Sequence, residues 1–256
     1  MKIIVAIKQV PARDSSLKVD ASGKWIQDQD LSFEINEPDA YALEEGLQLK
    51  EKHGGEVIVL CLGPARAAQT IREALAKGAD RAIHIEEDNL TGLDTLAMAE
   101  LLSKAIATEK PDLVLTGLQS DDLGYGQTGV VAAELLGYAS STIIMQVNKT
   151  DGGIQVKREL EDGWFQMIDL PLPAVLTIQS GINKLRYATL MGIKKAKTKE
   201  IKRLTAGELG GLPASSAVVE KIYLPKKSKQ TQILEGPAKE VAAKLVEKLK
   251  FEVRVI

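Results

Sequence analysis

Short apolar runs alternate with stretches of helical period along the first two thirds of the chain. "KIIVAIKQV" (2–10) is almost continuously apolar, as expected of a strand covered on both faces. "VIVLCL" (57–62), "RAIHI" (81–85) and "DLVLTG" (112–117) repeat that pattern. Between them, residues 39–55 set Ala42, Leu43, Leu47 and Leu49 near one helix face and end on a Gly pair. Residues 64–80 open on Pro64 and close on Gly78. Residues 94–112 have Asp94 as a cap and stop before Pro111, and 127–138 form a helix after the fourth strand. Strand, helix, strand, helix predicts a doubly wound parallel sheet with helices on both faces.

The insertion 11–37 reads as loop plus a hairpin in "LKVDASGKWIQD". From 141 the rhythm changes to two strand-like runs joined through Asp151-Gly152-Gly153, a hairpin signal. "FQMIDLPLPAVLTIQ" adds strands with Pro171 and Pro173 at an edge or a strand start, so the sheet is expected to end in an antiparallel extension. After Ile182 the chain turns basic, passes through a Gly/Ala/Ser linker and ends in the amphipathic "PAKEVAAKLVEKLKFE" (237–252). The expected division is an α/β domain over 1–182, a recognition segment over 183–204, and a linker with a C-terminal arm over 205–256. Such an arm buries too little apolar surface to fold alone, so it is expected to wrap a partner.

Composition narrows the function. Lys and Arg number 33 against 35 Asp and Glu, a net charge of −2 without the basic surplus of a nucleic-acid binder. One cysteine, Cys61, and two histidines, His53 and His84, leave no disulfide framework and little for a metal centre. No apolar run approaches the ~20 residues that span a bilayer. The start "MKIIVAIKQV" reads as neither signal nor transit peptide, so a soluble cytoplasmic protein without membrane insertion is expected.

Ligands of an open parallel sheet bind outside the carboxyl ends of its strands. The loop after the fourth strand, "GLQSDDLGYGQTGVV", carries Gly117, Gly124, Gly126 and Gly129 and feeds straight into a helix. Glycines let backbone N–H groups approach an anion, and the helix start adds positive potential. Thr128 adds a hydroxyl. An AMP- or ADP-like phosphate suits this loop, whereas GxxxxGK[ST] and GxGxxG are both missing. Asp121 and Asp122 read as turn residues rather than Mg²⁺ ligands, His84 as packed in a strand, and Cys61 as a small core hydrophobe. No catalytic set assembles. The basic segment interleaves Tyr187, Leu190, Met191 and Ile193 with charge, the composition of an interaction site.

These segments together resemble the β subunit of electron transfer flavoproteins. The resemblance rests on "VAIKQV", "ALEEGLQLKE", "GPARAAQTIREALAKGADRAIHI", "DLVLTGLQSDDLGYGQTG", "LPAVLTIQSGIN" and, most specifically, "RYATLMGIKKAKTK". It implies a doubly wound sheet of the adenine-nucleotide α-hydrolase-like or flavodoxin-like kind. It also implies an electron carrier without catalytic residues of its own. The implied partners are an obligate α subunit holding most of the FAD, acyl-CoA or related flavin dehydrogenases as donors, and an acceptor such as a quinone oxidoreductase.

The resemblance carries a structural AMP onto Ala6, the turn Asn36-Glu37-Pro38-Asp39, Leu62, and the loop Gly117, Leu118, Gln119, Ser120, Asp121, Asp122, Leu123, Gly124, Tyr125, Gly126, Gln127 and Thr128. It carries partner recognition onto Arg186, Tyr187, Leu190, Lys194 and Lys195, and places Glu159 facing the α-subunit flavin. Two departures stand out. Many members have Asn-Pro and an aromatic residue in the turn, and "DDDxNQTG" in place of "DDLGYGQTG". Electron-bifurcating members, which bind a second FAD instead of AMP, resemble "DGDTAQVG"; Gln127-Thr128-Gly129 sides with the AMP branch. That bifurcating form and a stand-alone nucleotide-binding stress-type protein are the alternatives.

Overall fold

The computed structural model describes residues 1–88, 90–225 and 231–255; positions 226–230 and 256 of the expected arm lie outside them. Two units are distinct by their contacts, Met1–Ile222 and Tyr223–Ile256. The strands are β1 (Lys2–Ala6), β2 (Gln9–Pro11), β3 (Phe33–Ile35), β4 (Glu56–Gly63), β5 (Arg81–Glu86), β6 (Leu113–Gly117), β7 (Ala139–Lys149), β8 (Ile154–Glu159), β9 (Phe165–Leu170), β10 (Ala174–Ile178) and β11 (Ile201–Leu204). The α-helices are α1 (Glu37–His53), α2 (Ala68–Lys77), α3 (Thr95–Glu109), α4 (Thr128–Leu136), α5 (Leu190–Ala196) and α6 (Ala238–Lys248).

Among the described residues, nine strands form one sheet in the order β11-β5-β4-β1-β6-β10-β7-β8-β9. The pairs from β11 to β7 are parallel, and β7-β8-β9 is antiparallel. The continuous apolar runs are buried on both faces: Ile3, Ile4 and Val5 of β1 have no exposed surface. Ile3, Val5, Val57 and Val59 pack against Leu43 and Leu47 of α1 and Ile71 and Leu75 of α2. Ile4, Ile58, Leu60 and Ile83 face Leu102 and Ile106 of α3 and Ala133 of α4 on the other side. The chain therefore winds outward from β1 in both directions, and the switch point lies between β1 and β6.

Three details depart from the sequence pattern. The run 2–10 is two strands, because the chain leaves the sheet after Ala6 and β2 pairs with β3 in a separate ribbon. The run 174–178 is not part of the antiparallel extension but a fully buried central strand between β6 and β7. The end of the basic segment is β11, the parallel neighbour of β5, with Lys202 and Arg203 turned to solvent. The hairpin expected in 17–28 forms through a bridge of Val19 to Ile26, and the 150–153 turn joins β7 to β8.

Beyond β11 the chain stays on the first unit for some distance. Asp94 caps α3 by accepting the Ala97 N–H (2.9 Å), and its second oxygen accepts the N–H groups of Ser216 (2.6 Å) and Ala217 (3.0 Å). Ile222 then donates to the carbonyl of Gly23 at 2.8 Å. In the second unit, α6 has no buried residue, and its apolar Leu245 and Val246 are exposed.

Candidate functional site

The carboxyl ends of β4, β1 and β6 are neighbours, which brings Leu62, Ala6 and Gly117 to one edge of the sheet. The first turn of α1 and the loop 118–127 close over that edge. Asn36 sits at the start of α1 but does not cap its own helix. Its Nδ2 donates to the Gln119 carbonyl (2.9 Å) and its Oδ1 accepts the Asp121 N–H (2.8 Å). Asp39 is equally committed: one carboxylate oxygen accepts the Lys8 N–H (2.7 Å), the other the Gly117 N–H (2.8 Å). Burial pushes the Asp39 carboxyl up to about 7, only partly offset by those two N–H donors. A Cβ on Gly117 would stand 2.7 Å from Pro38 Cβ and nearer still to Asp39, so only glycine lets α1 begin this close to β6.

The loop holds itself in a tight turn. The Gly124 N–H reaches the Ser120 carbonyl (2.8 Å), and the Leu123 N–H approaches the Ser120 hydroxyl (3.4 Å). Gly124 and Gly126 adopt left-handed φ of +66° and +63°. Leu118 continues the edge by donating to the Ile178 carbonyl (2.9 Å), while the Tyr125 ring is exposed. Helix α4 then begins at Thr128 after Gln127, with no side chain capping it. Its first-turn N–H groups and the Thr128 hydroxyl are donors with a positive helix end behind them.

Two acids in the loop would repel an anion, and two cations missed by the sequence reading offset them. Lys8 Nζ bonds Asp122 at 2.7 Å, and Arg13 pairs with Glu37 and lies 3.7 Å from Asp121. Both come from "KQVPARD", the segment around β2 that follows β1; opposite charge in two segments at one sheet edge was the available signal. This donor set fits a mononucleotide phosphate. It does not fit a metal: no group of three or more His, Cys, Asp or Glu could hold one among the described residues. Cys61 is buried, and burial pushes its thiol up to about 12. His84 is also buried, with Nε2 3.0 Å from the Gly63 carbonyl.

The remaining candidates lie elsewhere. Glu159, last residue of β8, accepts from Gln179 Nε2 at 3.2 Å, which sets it at the carboxyl end of β10 beside the cradle. Arg186 spends its guanidinium within the chain, on Glu44 (2.7 Å) and Glu51 (2.5 Å) of α1. Those partners raise its pKa and hold Glu51 below the usual carboxylate range. The residues after it point outward: Tyr187 is 94% and Leu190 86% exposed, and Lys194 and Lys195 are also exposed. A concavity of about 470 Å³ between α2 and α5 adjoins this segment, not the edge formed by α1 and the 117–128 loop.

Residues 24–209 match the electron transfer flavoprotein domain. The chain is 37% identical over 257 residues to the electron transfer flavoprotein subunit β of Methylophilus methylotrophus, spanning 96% of this chain and 97% of that one. This chain belongs to the electron transfer flavoprotein family. Within it, the similarity runs end to end along β subunits: the mitochondrial subunit β of Oryza sativa subsp. japonica is 36% identical over the full length of both chains. Protein FixA of Sinorhizobium fredii is 35% identical over 96% of this chain and 92% of that one. Among the described residues no helix is long and apolar enough to cross a membrane.

Proposed function

We propose that this chain is the β subunit of a cytoplasmic, heterodimeric electron shuttle. It binds AMP as a structural nucleotide in the cradle between α1 and the 117–128 loop, and it docks flavin dehydrogenases through the segment 186–197. FAD, held mainly by the α subunit, supplies the one- and two-electron chemistry of transfer to a quinone reductase or other acceptor. The reading is carried by one observation: an uncapped helix start and a glycine turn at the switch point of the sheet, with the nearby acids paired to Lys8 and Arg13.

In this role AMP is a plug. A ligand bound only by the folded state stabilises it by RT ln(1 + [L]/Kd), ~4 kcal/mol at a thousandfold excess over Kd. Leu190 supplies a small apolar anchor amid charge, which suits fast, exchangeable encounters. The exposed apolar residues of α6 are left for the α subunit to cover. The test is reconstitution. Reduction by an acyl-CoA dehydrogenase and onward transfer require both chains together, and transfer by this chain alone would refute the assignment.

A further inference from the structure

Helix α5 has seven residues, a length at which a helix does not persist alone in water. Apolar burial contributes little: Ala196 is its one buried residue, Leu190 and Met191 face outward, and Ile193 is half-exposed at the concavity between α2 and α5. What holds it is an exchange of helix ends with α2. Arg72 of α2 donates through Nη1 to the carbonyls of Ala196 (2.5 Å) and Lys199 (2.8 Å), at and just past the end of α5. In return the Lys199 ammonium donates to the carbonyls of Leu75 (3.1 Å) and Ala79, at and just past the end of α2. Each cation satisfies carbonyls that a helix end leaves without partners and meets the negative end of the helix dipole.

The rest of the segment is fixed as firmly. The Thr189 hydroxyl caps α5 by accepting the Gly192 N–H at 3.0 Å. Gly192 lies against the Ala76 carbonyl so closely that a Cβ there would collide with it. On the incoming side Arg186 is forked between Glu44 and Glu51, and Asn183 donates to Glu45 (3.1 Å).

We propose that Arg72 and Lys199 are positioning residues that hold α5 in its docking conformation before a partner arrives. This rests on the reading of 186–197 as the dehydrogenase-docking segment. The conformational entropy of ordering the α5 backbone that carries Leu190 and Met191 is then lost on folding, not on docking, which keeps an anchor this small effective.

The test uses the purified heterodimer in four forms: wild type, Arg72→Met, Gly192→Ala and Leu190→Ala. Hydrogen exchange of the amides 192–197 is read alongside the KM and kcat of an acyl-CoA dehydrogenase for each heterodimer. Arg72→Met keeps the side-chain stem and loses the donors; Gly192→Ala pushes α5 away from α2 from outside the core. Both should speed exchange and raise KM about tenfold, the loss of roughly one ordered group, with kcat and nucleotide content unchanged. Leu190→Ala should raise KM with exchange unchanged. Unprotected amides in the wild type, or unchanged exchange or KM in both Arg72→Met and Gly192→Ala, would overturn the clamp. Unchanged KM in Leu190→Ala alone would instead count against the docking reading.

Discussion

Asn36 and Asp121 are 85 positions apart in the chain and joined by a 2.8 Å hydrogen bond from the Asp121 N–H to Asn36 Oδ1. With the second bond from Nδ2 to the Gln119 carbonyl, one amide side chain sets the distance between the start of α1 and the 117–128 loop. Asn36→Ala removes both bonds of a buried side chain and leaves the Asp121 N–H and Gln119 carbonyl, on exposed residues, to water, a cost of ~1 kcal/mol. The expected result is a loop that releases AMP. AMP retained after gel filtration and the urea midpoint should both fall, and full retention would deny Asn36 this role.

Gly117→Ala acts on the same junction from the strand side. The added methyl meets Pro38 and the Asp39 carboxylate, and α1 must retreat. Overpacking of this kind costs ~1–3 kcal/mol. Thermal unfolding should come at lower temperature with AMP content reduced; an unshifted Tm would contradict the close approach.

Asp39 gives the junction a pH dependence. Its folded pKa, about 7, stands above the ordinary carboxyl value of 3.8 because the carboxyl is buried. The folded state therefore holds a proton that the unfolded state has lost between those values. Stability from this group is full below about pH 4 and declines, by up to about 4 kcal/mol, as pH rises to about 7. Asp39→Asn removes the titration and one N–H acceptor. The variant should be less stable at pH 5, with the gap to wild type narrowing toward pH 8 in urea unfolding. A gap that does not change with pH would show that Asp39 is ionised throughout.

Leu190→Ala tests the address. Removing the most exposed apolar side chain of α5 should slow reduction by an acyl-CoA dehydrogenase on the order of tenfold, as anchors at small interfaces do. Flavin content and the heterodimer should be unchanged. Equal reduction rates would remove the docking role.

The parallel core was legible because its strands are continuous apolar runs separated by helices with their own start and stop residues. The glycine loop was legible because Gly117, Gly124 and Gly126 lead into a helix that opens on Thr128-Gly129. What escaped is non-local. "AVLTI" is apolar enough to be central, yet nothing local says that it slips between β6 and β7. "IKRL" reads as part of the basic segment because Lys202 and Arg203 stay exposed on an edge strand that pairs only with β5. Arg186 is expected from the resemblance to meet a partner, and its pairing with Glu44 and Glu51, more than 130 positions away, has no local signal. Asn36 and Asp39 are expected from the sequence to touch the nucleotide; in the fold their side chains bond the Gln119 carbonyl and the Gly117 N–H, contacts between distant segments that no local pattern displays.

If this chain is a nucleotide-braced scaffold and docking face whose companion holds the redox flavin, denaturing the co-purified heterodimer releases one FAD and one AMP per heterodimer. Two FAD and no AMP would assign this subunit a flavin of its own and contradict that division of roles.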